Sequence, residues 1–357
     1  MKLKYTLLTF LSLLLLVFSC KKKEDAPNNQ SYYYVPPHWL AYPVPTTETF
    51  AMYLLAPDHA ENMWYGGYHS LYKRTGLTVT DYSPYIIPSA PGSYYTLTAL
   101  AVDNTDQLWI GFNNKGLIMY DGSSYHGYDT TNSGLTDQNI KNIVVDENNV
   151  KWFGADSSLI KYDGITWTTY NPGNSPLRQF NSLVCTPGNL WICGRYSLQR
   201  FDGTTFTSWD ITNSGFPAAG VRIATKDEHG NIWFMANGPS AQLLYKFDGT
   251  NFVSYAIPRF DLDGAYDPSA YDPFSYLDIK ADAQDNVWIC GEGFLYKFNG
   301  ISFTNITVPS AYNAGGPYPY PHAIPATLHK MVITSDLTKW FAGFVPGHTD
   351  EPLYSYK

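Results

Sequence analysis

Seven tryptophans recur along this chain of 357 residues, at positions 64, 109, 152, 191, 233, 288 and 340, spaced 39 to 55 residues apart. Each stands in one local pattern, clearest where Asp103-Asn104-Thr105-Asp106-Gln107-Leu108-Trp109-Ile110-Gly111 is followed by Gly116-Leu117-Ile118-Met119-Tyr120-Asp121-Gly122. An apolar run, a polar turn, a strand carrying tryptophan, a glycine turn, a third strand and Asp-Gly follow one another. The pattern returns at Trp152-Phe153-Gly154 with Tyr162-Asp163-Gly164, at Trp191 with Phe201-Asp202-Gly203, at Trp233 with Phe247-Asp248-Gly249, and at Trp288 with Phe298-Asn299-Gly300. A period of roughly 40 to 45 residues with alternating apolar positions predicts the blades of a β-propeller. One blade leaves both its faces bare, so blades must stack, and a closed ring covers them all.

The expected fold is all-β: a seven-bladed propeller of four-stranded antiparallel blades, strands A to D running outward from the axis. The last unit, from Leu328, has no fourth strand of its own. Trp39-Leu40-Ala41-Tyr42 matches the outer-strand pattern of Trp167-Thr168-Thr169-Tyr170, so residues 37–43 are expected to complete the last blade. Closure of this kind removes an open sheet edge. The first blade is expected to start at Phe50 to Leu55. The tryptophans read as packing between blades, and the Asp- and Asn-rich A–B turns read as structural caps without metal, because none has the spacing of a calcium loop.

The first residues belong to a different class. Lys2 and Lys4 precede an apolar run from Leu7 to Phe18, which is shorter than the roughly 20 residues a spanning helix needs. Val17-Phe18-Ser19-Cys20 resembles the lipobox of bacterial lipoproteins, which implies a signal peptide at 1–19, acylation of Cys20, a polar tether at 20–30 and a propeller domain at 31–357. The expected location is the cell envelope, held by lipid, at the outer membrane in preference to the inner. With 31 acidic against 23 basic residues, nucleic acid is not an expected partner. Cys185, Cys193 and Cys290 read as small buried hydrophobes, with a Cys185–Cys193 bridge as an alternative.

The repeats resemble the two-component regulator propeller repeat, known from periplasmic sensor regions of hybrid histidine kinases in Bacteroidetes that respond to glycans. The resemblance runs through nearly all of residues 31–357 and is strongest from Thr96 to Ile306. It implies the propeller and a habit of binding extracellular ligands. Kinase signalling is not carried over, since no kinase motif follows Tyr356.

Surplus sequence falls on the D-to-A connections: Ser83 to Ser93, Pro258 to Tyr276 and Pro309 to Pro325. Tyrosine and aspartate together suit sugar or peptide ligands. Tyr266, Asp267, Tyr271, Asp272, Tyr318, Tyr320 and His322 are therefore the candidate ligand-binding residues, with no catalytic residue, metal or cofactor expected. The main expectation is a non-catalytic binding or scaffold module for a glycan or envelope protein, and enzymatic activity is not expected. The alternative is a metal-assisted lyase or hydrolase at the channel mouth, using His322, His329 or His348; seven-bladed propellers with similar repeats include the streptogramin lyases.

Overall fold

The computed structural model describes residues 31–42, 52–86, 95–194, 196–216, 221–237, 242–258, 278–291, 293–313, 323–344 and 353–357. Seven four-stranded antiparallel sheets form the blades. Strand A of blade one is Leu54–Pro57, shifted toward the tryptophan from the expected Phe50 start. The inner strands of blades two to seven are Leu97–Val102, Ile140–Val145, Ser182–Thr186, Val221–Lys226, Asp278–Ala281 and Thr327–Ile333. Each inner strand neighbours the next, and that of blade seven returns to blade one.

Blade seven closes as expected from the pattern of Trp39. Trp39–Tyr42 pairs with Leu353–Tyr356, with Trp39 opposite Tyr356 and Tyr42 opposite Leu353. The Trp39 indole Nε1 donates to the Thr307 carbonyl at 2.9 Å, which ties the closing strand to blade six.

The core is divided in a way that follows from the repeat. Seven apolar clusters occur, one at each junction between blades. All seven repeat tryptophans are buried in them or beside them. Each junction also receives one apolar residue from the segment leading into an inner strand: Met52, Ile86, Leu135, Leu177, Phe216, Ile257 and Val308. Burying such a side chain contributes about 1.5–3 kcal/mol. Close approach of strand B to the start of strand A in the same blade explains the glycine after tryptophan: a Cβ at Gly194 would lie 2.1 Å from the Gln179 carbonyl oxygen, and one at Gly343 would lie 2.2 Å from that of Thr327.

Two features differ from the sequence reading. Part of the Pro309 to Pro325 connection forms a small sheet, in which Ser310–Asn313 pairs with both Ala323–Pro325 and the N-terminal strand Ser31–Tyr34. Ser83–Ile86 is a single helical turn. The three described cysteines are free thiols; Cys185 faces Leu190 and Cys193 faces Ser182, so the strand register does not place the two opposite one another.

Candidate functional site

The A–B turns are built alike, and their chemistry starts with the first aspartate. Asp103 Oδ1 accepts the N–H groups of Thr105 and Gln107, while Oδ2 accepts the Trp109 indole at 3.0 Å. Asp146, Asp227 and Asp282 repeat the arrangement on Trp152, Trp233 and Trp288 at 3.2, 2.8 and 2.8 Å. Thr186 does the same for Trp191 at 3.0 Å. The turn aspartate therefore caps its own backbone and also satisfies a buried indole donor that would otherwise be costly.

Among the described residues a second bond joins neighbouring turns at five of the seven junctions. The fourth turn residue, held at positive φ, turns its side chain to a backbone N–H of the preceding blade. Asp106 accepts from His59 at 3.0 Å, Asn149 from Asn104 at 2.9 Å, Asp285 from Glu228 at 3.3 Å and Glu61 from Ser335 at 3.1 Å. Between blades three and four the bond is reversed, with Glu147 accepting from Gly188 at 2.6 Å. Gly230 and Leu337 occupy the fourth position elsewhere and have no side-chain acceptor to offer.

These two devices converge chemically at the junction of blades five and six. Asp227, His229 and Asp285 bring one imidazole nitrogen and two carboxylates within 4.8 Å of one another. His229 Nδ1 lies 3.0 Å from Asp285 Oδ2. The turn clusters act as caps, and at this junction they also bring together three side chains that could hold a metal ion. Linear spacing could not show it, because Asp285 comes from the next blade. A mixed nitrogen and oxygen set suits a divalent transition ion better than calcium, which takes oxygen alone.

Charge compensation of the turn aspartate varies between junctions. Asp103 receives Lys151 from the first position of strand B in blade three, 3.0 Å away, with both side chains buried. Burial would raise the Asp103 pKa, but bonds from Thr105, Trp109 and Lys151 outweigh it and hold the carboxyl below its ordinary value. Lys339 holds the equivalent place in blade seven and feels the charge of Asp282. In blade six that place is Val287, fully buried. Among the described residues no lysine is ion-paired to Asp227; Lys246 lies over the Trp233 ring, 5.4 Å from its centre.

A cation fits here with two local changes. Asp227 Oδ1 already accepts from His229 and Asn231 N–H groups, and Oδ2 from the Asn231 amide and Trp233. To hold a metal ion, Asp227 Oδ2 would give up the Asn231 amide, and His229 Nδ1 and Asp285 Oδ2, 3.0 Å apart, would each offer a lone pair. His229 is exposed, which leaves coordination positions open to a ligand or water.

The residues singled out from sequence are placed unevenly. Tyr266, Asp267, Tyr271, Asp272, Tyr318, Tyr320, His322, His348 and Cys20 lie outside the described residues. His329 is on the inner strand of blade seven as expected, and burial lowers its pKa to about 4.

No protein-family model matches the chain, and no curated protein matches it in sequence. Solved structures do. A streptogramin B lyase is 13% identical, covering 92% of this chain and 98% of its own, with a TM-score of 0.64. YCF48 bound to D1 peptide is 14% identical over 90% and 99%, TM-score 0.59. The extracellular domain of a B. thetaiotaomicron hybrid two-component system is 16% identical over 87% of this chain and 40% of its own, TM-score 0.60. The fold is thus that of extracellular sensor propellers, of a peptide-bound propeller and of lyases alike.

The sequence-based expectation that the protein is not an enzyme is corrected at this point. The lyase fold similarity and the Asp227, His229 and Asp285 group both stand against it. Ligand spacing along the chain does not reveal this group, because Asp285 comes from the blade after that of Asp227 and His229. Among the described residues no helix is long and apolar enough to cross a membrane.

Proposed function

We propose that this chain is a lipid-anchored cell-envelope propeller that carries out metal-assisted chemistry, of lyase or hydrolase type, at the mouth of its channel on the A–B face. The observation that carries the reading is the meeting of Asp227, His229 and Asp285 on a junction that lacks the lysine found at two others. The streptogramin B and virginiamycin B lyases support it in one respect: a propeller of this shape can host a lyase.

A divalent ion held there would polarise a ligand oxygen or make a bound water more acidic. The chain's own contribution is placement. Asp227 is fixed by four hydrogen bonds, and Asp285 is held by the Glu228 N–H, so both carboxylates are positioned before any ligand arrives. Lys226 and Glu228, the exposed neighbours of Asp227, are the acid–base groups next to it in the chain. The tyrosine- and aspartate-rich D-to-A loops, with Tyr266, Asp267, Tyr271, Asp272, Tyr318, Tyr320 and His322, would hold a glycan or an envelope protein on the opposite face. Cys20 would carry the lipid, with 1–19 removed, 20–30 as tether and the outer membrane as destination.

The deciding experiment titrates Mn²⁺ and Zn²⁺ into the protein and into His229→Ala, then screens acidic and neutral polysaccharides for unsaturated products and new reducing ends with and without a chelator. Metal uptake lost in His229→Ala, together with chelator-sensitive product, is the expected result. Uptake that ignores the substitution, or product that ignores the chelator, removes the reading. For the anchor, membrane attachment should be lost in Cys20→Ala and under globomycin.

A further inference from the structure

On the same A–B face the central channel widens into a cavity of about 490 Å³ between the inner strands of blades three to six. That volume is in the range of small-molecule sites, about 300–1,000 Å³. Its walls are chemically unequal. Blades three and four contribute Val144, Val145, Leu183 and Val184, whereas blades five and six contribute Lys226 and Lys280.

The lysines line the cavity within the field of acids, Glu147 for Lys226 and Asp278 for Lys280, but those acids are bonded elsewhere. Asp278, the acid nearest Lys280 in sequence, gives Oδ1 to the Ile279 N–H at 3.0 Å, and Oδ2 to the Met331 N–H at 2.9 Å and to Lys330 at 3.3 Å. Two lysines thus flank one engaged carboxylate. Lys280 is half-buried, and desolvation lowers its pKa, with the Asp278 charge opposing that shift and the Lys330 charge adding to it. Among the described residues neither Lys226 nor Lys280 takes part in an ion pair within 4.0 Å. A buried cation in that position gains strongly from an anion brought in with the ligand.

The two acids on the wall limit what that anion can be. Asp146 spends its oxygens on the Asn148 and Val150 N–H groups and on Trp152, and Glu147 Oε1 accepts from Gly188. Their charges still oppose a dianion such as phosphate. Thr225 and the second oxygen of Glu147 suit hydroxyl groups, and the valine and leucine wall suits the C–H face of a ring.

We infer that this channel mouth binds a sugar acid with a single carboxylate, of the uronate class, its carboxylate between Lys226 and Lys280. The site stands on the cavity and its lysines and does not depend on the metal reading.

Calorimetric titration of the protein with D-glucuronate, D-glucose and inorganic phosphate tests it. Saturable binding of glucuronate, at least tenfold tighter than either comparator and at least tenfold weaker in Lys226→Gln and Lys280→Met, is the expected result; Lys226→Arg should retain it. Absence of glucuronate binding, equal binding of glucose, tighter binding of phosphate, or unchanged affinity in both variants would overturn the assignment. Thermal melts check each variant's fold, and if Lys280→Met unfolds, Lys226→Gln against Lys226→Arg decides. His229→Ala should leave glucuronate binding intact, which separates this site from the cation cluster.

Discussion

The junction of blades two and three and that of blades five and six use the same scaffold and end in different chemistry. Both have an aspartate bonded to a buried tryptophan, and both have a side chain crossing to the preceding blade's backbone. At the first, Lys151 neutralises Asp103 from within and the crossing side chain is the neutral Asn149. At the second, Val287 replaces the lysine, the crossing side chain is Asp285, and His229 joins it. A repeat built for stability becomes a candidate site when its internal cation is taken out and a carboxylate is put in.

The largest effect should come from breaking the first junction. Asp103→Ala leaves a buried lysine and a buried indole unpaired and is expected to cost about 3–5 kcal/mol, against about 1–3 kcal/mol for Asp227→Ala. Denaturant unfolding of the two variants measures the contrast, and equal losses would erase it. Converting the second junction into the first is the sharper test. Val287→Lys should weaken Mn²⁺ or Zn²⁺ uptake at least tenfold while leaving the melting temperature the same or higher, and metal affinity that does not change would detach the cluster from its missing lysine.

Acid should also discriminate. The Asp103 carboxyl lies below its ordinary value in the folded protein, so its contribution is present above the unfolded value of about 4 and is lost as pH falls through the folded value. Asp103→Asn should therefore flatten the fall in stability below about pH 4, and Asp227→Asn serves as the comparison. His329 gives a second window: with its pKa lowered to about 4 against about 6.5 unfolded, stability should drop as pH falls between those values, and His329→Gln should remove that drop in a pH series of melts. The smallest effect belongs to the exposed crossing bonds. Asp106→Ala should shift unfolding by no more than about 1 kcal/mol, because its His59 partner is exposed as well.

What could be read from the chain follows from where each interaction is encoded. Trp109, Trp152 and Trp191 recur one blade's length apart, so blade number and the role of the Trp39 strand were legible. Asp103 and Asp227 were legible as turn caps, though their bonds to tryptophan six residues on were not. The residues plugging each junction, such as Leu135 and Phe216, look like ordinary loop hydrophobes until their neighbours are known. His229 and Asp285 are more than fifty positions apart, and only the ring brings them together. Lys226 and Lys280 meet at one cavity for the same reason.

The clasp of the ring has a kinetic consequence. Trp39–Tyr42 emerges among the first segments of the domain and must stay unpaired until Leu353–Tyr356 arrives, over three hundred positions later. Long-range pairing of that kind is slow to form and late in assembly. The nascent protein therefore carries a waiting, aromatic strand through most of its synthesis, and the ring closes only when the last strand has been made.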